Sequence, residues 1–183
     1  MEIYSEKGVD MIGFLFFLPF LLIRFGVLSL LSKTALQRAA AFAPLEGSER
    51  IAYIIYQLSN LALLGVSCFF SCRFDFSWSF YLGFVLYSLG LALCACSVFH
   101  FAHPDKKGFN NRGIYRFSRN PMYVSYFICF LGISFLIQSW LFFFLLLIFQ
   151  ISAHWIIRSE ERWCLQQFGK AYQDYQERVR RYI

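Results

Sequence analysis

Charge is what this chain has least of. Only 15% of its 183 residues are Asp, Glu, Lys or Arg, against about 25% in soluble domains. The apolar share is 58%, including 24 Phe, well above the usual 45–50%. Such a composition excludes an ordinary water-facing surface, so the bilayer must be the solvent for much of the molecule. A basic n-region is also missing: the first ten residues carry Glu2, Glu6 and Asp10, and no cleavable signal is expected. No basic run stands apart from the apolar segments. The net charge of +6 therefore points to arginine-rich membrane loops and not to a nucleic-acid partner. A disulfide framework is lacking as well. Cys68, Cys72, Cys94, Cys96 and Cys129 lie inside apolar runs and Cys164 in the polar tail, where free cysteine packs as a small hydrophobe. Cys96, His100 and His103 would share a helix face, but no fourth ligand accompanies them, so no metal site is assigned.

What remains is a series of long apolar runs. Five segments stand out: Met11 to Leu31, interrupted by Pro19 and Arg24; Ile51 to Phe70; Phe80 to Phe101; Tyr123 to Ile137; and Trp140 to Ile157. A helix crosses the hydrocarbon with about 20 residues and rarely fewer than 17, so the last two read as a tight helical hairpin. Arg24, the one basic residue deep in a span, reads as snorkelling to the interface. Lys and Arg set the orientation. Lys33, Arg38 and Arg50 lie in one loop, and Lys106, Lys107, Arg112, Arg116 and Arg119 in another. Arg158, Arg162, Lys170, Arg178, Arg180 and Arg181 lie in the tail, whereas the loop around Arg73 and Asp75 is nearly neutral. Five crossings put the three basic segments on one side, with the N-terminus outside and the C-terminus in the cytosol.

The fold expected is all-α: a single domain, residues 1–183, forming a multi-spanning bundle of about five helices with a cytosolic site. At the end of the chain Phe168, Tyr172, Tyr175, Val179 and Tyr182 recur every three or four residues. That pattern is an amphipathic helix, suited either to an anionic leaflet or to packing on the protein's own cytosolic face.

Two polar elements flank the hairpin, and its tight return should bring Pro121 close to Glu160. The first element contains GIYRFSRNPMYVSYF, Gly113 to Phe127; the second is Arg158-Ser159-Glu160-Glu161-Arg162. Each has a plain structural reading. Proline after Asn120 starts a helix where its missing N–H is harmless, and adjacent glutamates form a solvated face or pair with Arg158 and Arg162.

Taken together, Gly113-x-Tyr115-x-x-x-Arg119-Asn120-Pro121-Met122-Tyr123, Glu160-Glu161 and Phe168-Gly169-x-x-Tyr172-x-x-Tyr175 resemble the isoprenylcysteine carboxyl methyltransferase and phospholipid methyltransferase superfamily. These are small integral-membrane enzymes that use S-adenosylmethionine at the cytosolic face. The resemblance covers roughly residues 107–182. It implies that Asn120, Pro121, Met122 and Tyr123 wrap the cofactor, that Tyr115 contacts it and that Glu160 binds it. Arg119 either holds the methionine carboxylate or buttresses the turn. Lys107 to Asn110, including Phe109 and Asn110, stand where a stretch lining the cofactor pocket is expected.

The chain departs from the prenylcysteine pattern at Asn120, where His is common, at Ser125, where Gly is usual, and at Ile156, where a substrate-contacting arginine is expected. Arg158, half a turn on, is the candidate replacement. Loss of that arginine disfavours an anionic acceptor, and Asn-Pro-Met-Tyr resembles the phospholipid branch. The implied acceptor is a membrane lipid, the amine of phosphatidylethanolamine or its methylated derivatives, in the bacterial inner membrane or the endoplasmic reticulum. An ammonium must lose a proton before attack, and Glu161, His100 and His103 are the candidate bases. A prenylcysteine carboxylate is the alternative acceptor. A sterol-reductase-like enzyme using NADPH fits less well, because Val124-Ser125 replaces the Gly-Glu such proteins carry. A non-enzymatic scaffold leaves the paired glutamates and the Asn-Pro turn unexplained.

Overall fold

The structure, a computed structural model, describes residues 11–40, 42–72, 74–103 and 108–183. Glu2, Glu6, Asp10, Arg73, Lys106 and Lys107 lie outside the described residues. The fold is all-α apart from a two-residue ribbon in which β1 (Met11–Ile12) pairs antiparallel with β2 (Ser71–Cys72).

The first span, α1, covers Gly13–Leu31. It opens as a 3-10 turn, so Pro19 falls near the start of the regular helix, where a missing N–H is tolerated. Between Leu22 and Val27 the winding loosens into a π-turn that contains Arg24; such turns are frequent at functional sites. Ser32 breaks the helix with φ −165°, ψ 116°, and its Oγ accepts from the Ala35 N–H at 3.2 Å. That cap starts α2 (Lys33–Ala40). Next come α3 (Glu49–Ser67) and α4 (Trp78–Ala102), the latter capped by Ser77, whose Oγ accepts from the Phe80 N–H at 3.2 Å. Pro121 opens α5 (Pro121–Leu136). Ser139 caps α6 (Trp140–Phe168) by accepting from the Phe142 N–H at 3.3 Å. The chain bends at Gly169 into α7 (Lys170–Arg178).

Three of these helices, α1, α4 and α6, are long and apolar enough to cross a membrane. The other two expected spans are weaker: α5 has 16 residues, and the 19 of α3 include Glu49, Arg50, Gln57 and Asn60. All five nonetheless run alternately between the same two ends of the bundle. At one end the β1–β2 ribbon lies near Gln138, whose amide donates to Asp75 at 2.9 Å, and Ser79, whose hydroxyl donates to the Phe135 carbonyl at 3.0 Å. At the other, Arg38 donates to the Phe101 carbonyl at 3.1 Å, and Arg162 forks onto both oxygens of Glu49 at 2.6 and 2.7 Å. The expected pairing of Arg162 with its neighbouring glutamates is thus replaced by this longer-range pair.

The closest packing is between α4 and α5. A Cβ on Gly90 would run into the Cys129 backbone, and one on Gly132 into the Tyr87 backbone. Small residues let membrane helices approach this closely, so that dispersion can replace the weak solvophobic drive in lipid. Phe17, Phe20, Tyr126, Phe130 and Phe149 fill the centre with ring contacts of 4.9–5.8 Å. Tyr56 of α3 stacks on Phe149 of α6 at 5.0 Å. Leu30, Leu58, Leu61 and Ile151 point outward and exposed, as expected of lipid-facing positions. Exposed Trp78 and Trp140 start α4 and α6 at the end away from Glu49, the depth at which aromatic belts form.

Candidate functional site

The site is built around the turn Ser118–Pro121. Gly113, at φ +57°, packs so closely on the His100 ring that any Cβ would overlap it. The 3-10 turn that follows, Gly113–Arg116, turns Tyr115 into the interior. Ser118 Oγ then accepts from the Asn120 N–H at 3.1 Å.

Glu161 locks this turn to the end of the chain. Its buried carboxylate accepts from Arg119 Nε at 3.0 Å and Nη2 at 3.2 Å, from Asn120 Nδ2 at 3.1 Å, and from Arg181 Nε at 3.0 Å. Arg119 also donates through Nη1 to the carbonyls of Gln176 and Val179, at 2.8 and 2.9 Å, while its backbone N–H donates to the Arg180 carbonyl at 3.0 Å. Asn120 Nδ2 reaches the Arg181 carbonyl at 3.1 Å, and the Tyr182 hydroxyl is hydrogen-bonded to His154 Nδ1 at 2.7 Å. Of the two roles open to Arg119, the geometry is that of a buttress: its donors are engaged by Glu161 and by tail carbonyls. Glu161, with both oxygens taken up by cationic and amide donors, has the surroundings of a clamp.

Beneath the turn lies a cavity of about 510 Å³, within the usual range for small-molecule sites. Phe109, Asn110, Tyr115, Arg119, Asn120, Pro121, Met122, Tyr123 and Glu160 all line it. These are the nine positions to which the resemblance assigns cofactor contacts, and four separate stretches of chain bring them together. Tyr123 donates its hydroxyl to Glu160 Oε1 at 3.0 Å; among the described residues no other donor to this carboxylate is present. One wall of the cavity is Phe109, whose ring lies 5.2–5.5 Å from those of Phe168, Tyr172 and Tyr175. Tyr172 and Tyr175 are buried, so the aromatic stripe of the last helix packs on the protein itself, one of its two expected placements. The Tyr175 hydroxyl donates to the Tyr115 carbonyl at 2.6 Å. Burial pushes the phenols of Tyr115, Tyr172 and Tyr175 above their ordinary values, which keeps these walls neutral.

Other expected residues fall elsewhere. His100 and His103 do not line the cavity. Their Nδ1 atoms donate to the carbonyls of Cys96, at 2.7 Å, and Phe99, at 2.9 Å. Arg158 is exposed, its guanidinium lying 5.1 Å over the Trp155 ring, and Ile156 is fully buried. The replacement of the missing substrate arginine by Arg158 therefore finds no support in its placement.

Several cavity residues carried no motif. Arg38, Phe42, Tyr56 and Tyr126 line it, and so does Arg24, which does not snorkel. Its Nη2 donates to the Ala39 carbonyl at 3.2 Å, while Nη1 is buried without a hydrogen-bond partner. Asn110 Oδ1 is a second buried polar atom left without one. In a folded protein such groups usually have partners. Both atoms belong to residues that line the cavity.

No curated protein and no solved structure matches the chain. The sequence profile of the phospholipid methyltransferase family matches residues 78–171, just over half of its length, from the start of α4 to the first turn of α7 and so across the turn and the paired glutamates. The chain belongs to the phospholipid methyltransferase family.

Proposed function

We propose that the protein transfers a methyl group from S-adenosylmethionine to the amine of phosphatidylethanolamine or its partly methylated derivatives, at a cavity facing the cytosol. The observation that carries this reading is that the turn, Glu160 and the aromatic tail helix line one cavity. Its chemistry suits the donor. Glu160 has acceptor capacity for an ammonium or ribose hydroxyls, and Asn110 Oδ1 is a buried acceptor lacking a donor. The faces of Phe109, Tyr115, Tyr172 and Tyr175 suit a purine and attract a cation by about 0.5–2 kcal/mol.

The bound donor supplies an electrophilic methyl on a sulfonium: the new N–C bond forms as the C–S bond breaks and its electron pair leaves with sulfur. The chain's contribution is alignment and exclusion of water. Arg119 and Glu161 fix the turn, Tyr123 orients Glu160, and α7 covers the polar side. The acceptor nitrogen attacks only as the free amine, and Glu160 is the cavity carboxylate with acceptor capacity to hold the departing proton. The lipid chains enter sideways from the bilayer, past α1 and α3. The end of the bundle bearing Arg38, Arg50, Arg112, Arg119, Arg162 and Arg181 faces the cytosol, in keeping with the positive-inside rule, and five crossings leave the N-terminus outside.

The test supplies radiolabelled S-adenosylmethionine with phosphatidylethanolamine vesicles or with a farnesylated cysteine analogue. Label is expected in the lipid. Label in the cysteine ester and none in the lipid would overturn the acceptor while leaving methyl transfer standing.

A further inference from the structure

Arg24 lies on α1, beyond residues 78–171, and carries a charge into a span. A guanidinium there is costly unless paired. Among the described residues no carboxylate pairs with it. Its partners are the Ala39 carbonyl and the faces of Phe25 and Tyr126, 5.6 and 5.7 Å from the guanidinium carbon. Nη1 is buried, bonded to nothing, and belongs to a residue that lines the cavity. The cavity's other arginines differ: Arg119 is consumed by Glu161 and the tail, and Arg38 sits at an exposed rim with a donor on the Phe101 carbonyl. Arg24 is thus the cation held on the membrane side of the cavity with a donor to spare.

We propose that Arg24 seats the anionic phosphodiester of the phospholipid acceptor. This rests on the lipid-amine reading above. Tyr126, under Arg24, has its ring 6.0 Å from that of Tyr123, which donates to Glu160. One wall therefore runs from a cation, across two tyrosines, to a carboxylate. An ethanolamine phospholipid has the matching order: a phosphodiester oxygen, two carbons, then the amine. With the phosphate on Arg24, the amine extends along the tyrosine wall toward Glu160, where the donor is held. The π-turn at Leu22–Val27 and the return of α2 to Ala39 aim the guanidinium inward. A carboxylate on the donor is the rival anion, but the positions assigned to the donor lie on α5, on α6 and in the loop before α5, whereas Arg24 lies on α1 against the rings of Phe25 and Tyr126.

The test uses the full chain in detergent with Arg24→Gln and Arg24→Lys. Phosphatidylethanolamine, a long-chain ethanolamine lacking phosphate, and a short-chain phosphatidylcholine serve as probes. The last has the phosphodiester but no reactive amine, and its binding is read by the fluorescence of Trp163, which lines the cavity, with calorimetry reading the donor. Arg24→Gln should raise the KM for phosphatidylethanolamine and the Kd for phosphatidylcholine roughly tenfold or more, and erase any preference for phospholipid over the phosphate-free amine. Affinity for S-adenosylmethionine should hold within about twofold, and Arg24→Lys should recover part of the loss. Weakened donor binding with unchanged lipid binding would move Arg24 to the donor and overturn the proposal. Equal losses for the lipid and the phosphate-free amine would overturn it too, by reducing Arg24 to a structural role. A wild-type chain that binds phosphatidylcholine through Arg24 but labels no lipid would instead sink the methylation reading alone.

Discussion

Replacing Glu161 by glutamine keeps the shape of its side chain and removes the charge that two arginines share. The carboxylate is 4% exposed and takes two hydrogen bonds from Arg119, one from Asn120 and one from Arg181. Removing one member of a buried pair costs about 3–5 kcal/mol. Here the lower end applies. Arg181 is 36% exposed and can rehydrate, while Arg119 keeps the Gln176 and Val179 carbonyls. A loss of about 3 kcal/mol falls on the contact between the turn and the last residues, and it raises the opening constant of that contact on the order of a hundredfold. Hydrogen exchange reads it at two amides: Arg119 N–H, bonded to the Arg180 carbonyl, and Val179 N–H, bonded to the Tyr175 carbonyl. Both should lose protection by about that factor while amides in α4 do not. Donor affinity should fall alongside, since Asn120 and Tyr123 hang on the same turn. Unchanged exchange with a collapse of turnover would refute the clamp and return Glu161 to the role of base.

Three other outcomes follow from the same geometry. Glu160→Gln should weaken S-adenosylmethionine binding in calorimetry with the fold intact, and unchanged affinity would remove Glu160 from the site. At the polar start of α3, the Arg162 guanidinium holds the Glu49 carboxyl down from 4.5 to about 2; because the folded value is the lower one, this pair's stabilisation is complete above about 4.5 and is lost as pH falls toward 2. Thermal unfolding across that window should show a decline that Glu49→Gln lacks, and matching curves would count against the pair. Gly90→Ala should cost about 1–3 kcal/mol by forcing α4 off the Cys129 backbone, whereas Gly65→Ala, with nothing within 4 Å of the added carbon, is the neutral control in the same melts.

The turn, the hairpin and Glu160 were legible in the sequence because each has a local signature: proline after asparagine, two apolar runs joined by Gln138-Ser139, acidic residues at the end of a span. The role of Glu161 was not, since neighbours on a helix point about 100° apart and only the fold decides which meets Tyr123 and which meets Arg119. Arg24 was misread for a related reason. A lone arginine in a span snorkels by default, and the observation that reverses this is the Ala39 carbonyl, delivered by a helix break at Ser32 that carries no strong motif. His100 lies on the last turn of α4 and His103 just past its end, and their Nδ1 atoms are spent on the carbonyls of Cys96 and Phe99, with the His100 ring against Gly113.

Unequal helix lengths explain why a cavity forms where it does. At about 1.5 Å per residue, α5 rises about 24 Å and α6 about 43 Å. Starting from the shared turn at Gln138-Ser139, α6 therefore draws level with Pro121 near Ile156, and Glu160 lies about one turn beyond. Tyr123, on the first turn of α5, reaches up to it. The remaining turns of α6 stand clear of the hairpin and would expose Cys164 and Phe168 if nothing followed. The bend at Gly169 sends α7 back, so that Tyr172 and Tyr175 close over Phe109. A shorter α6 would lose the roof and a longer α5 would fill the space beneath it. Inserting one turn of alanines after Leu136 should accordingly abolish donor binding by raising Pro121 to the level of Glu160 and closing the one-turn offset that Tyr123 spans, while the same insertion between Gly47 and Ser48, in the loop ahead of α3, should leave it in place. Retained donor affinity in the first insertion, measured by calorimetry, would refute the claim that the offset between α5 and α6 builds the site.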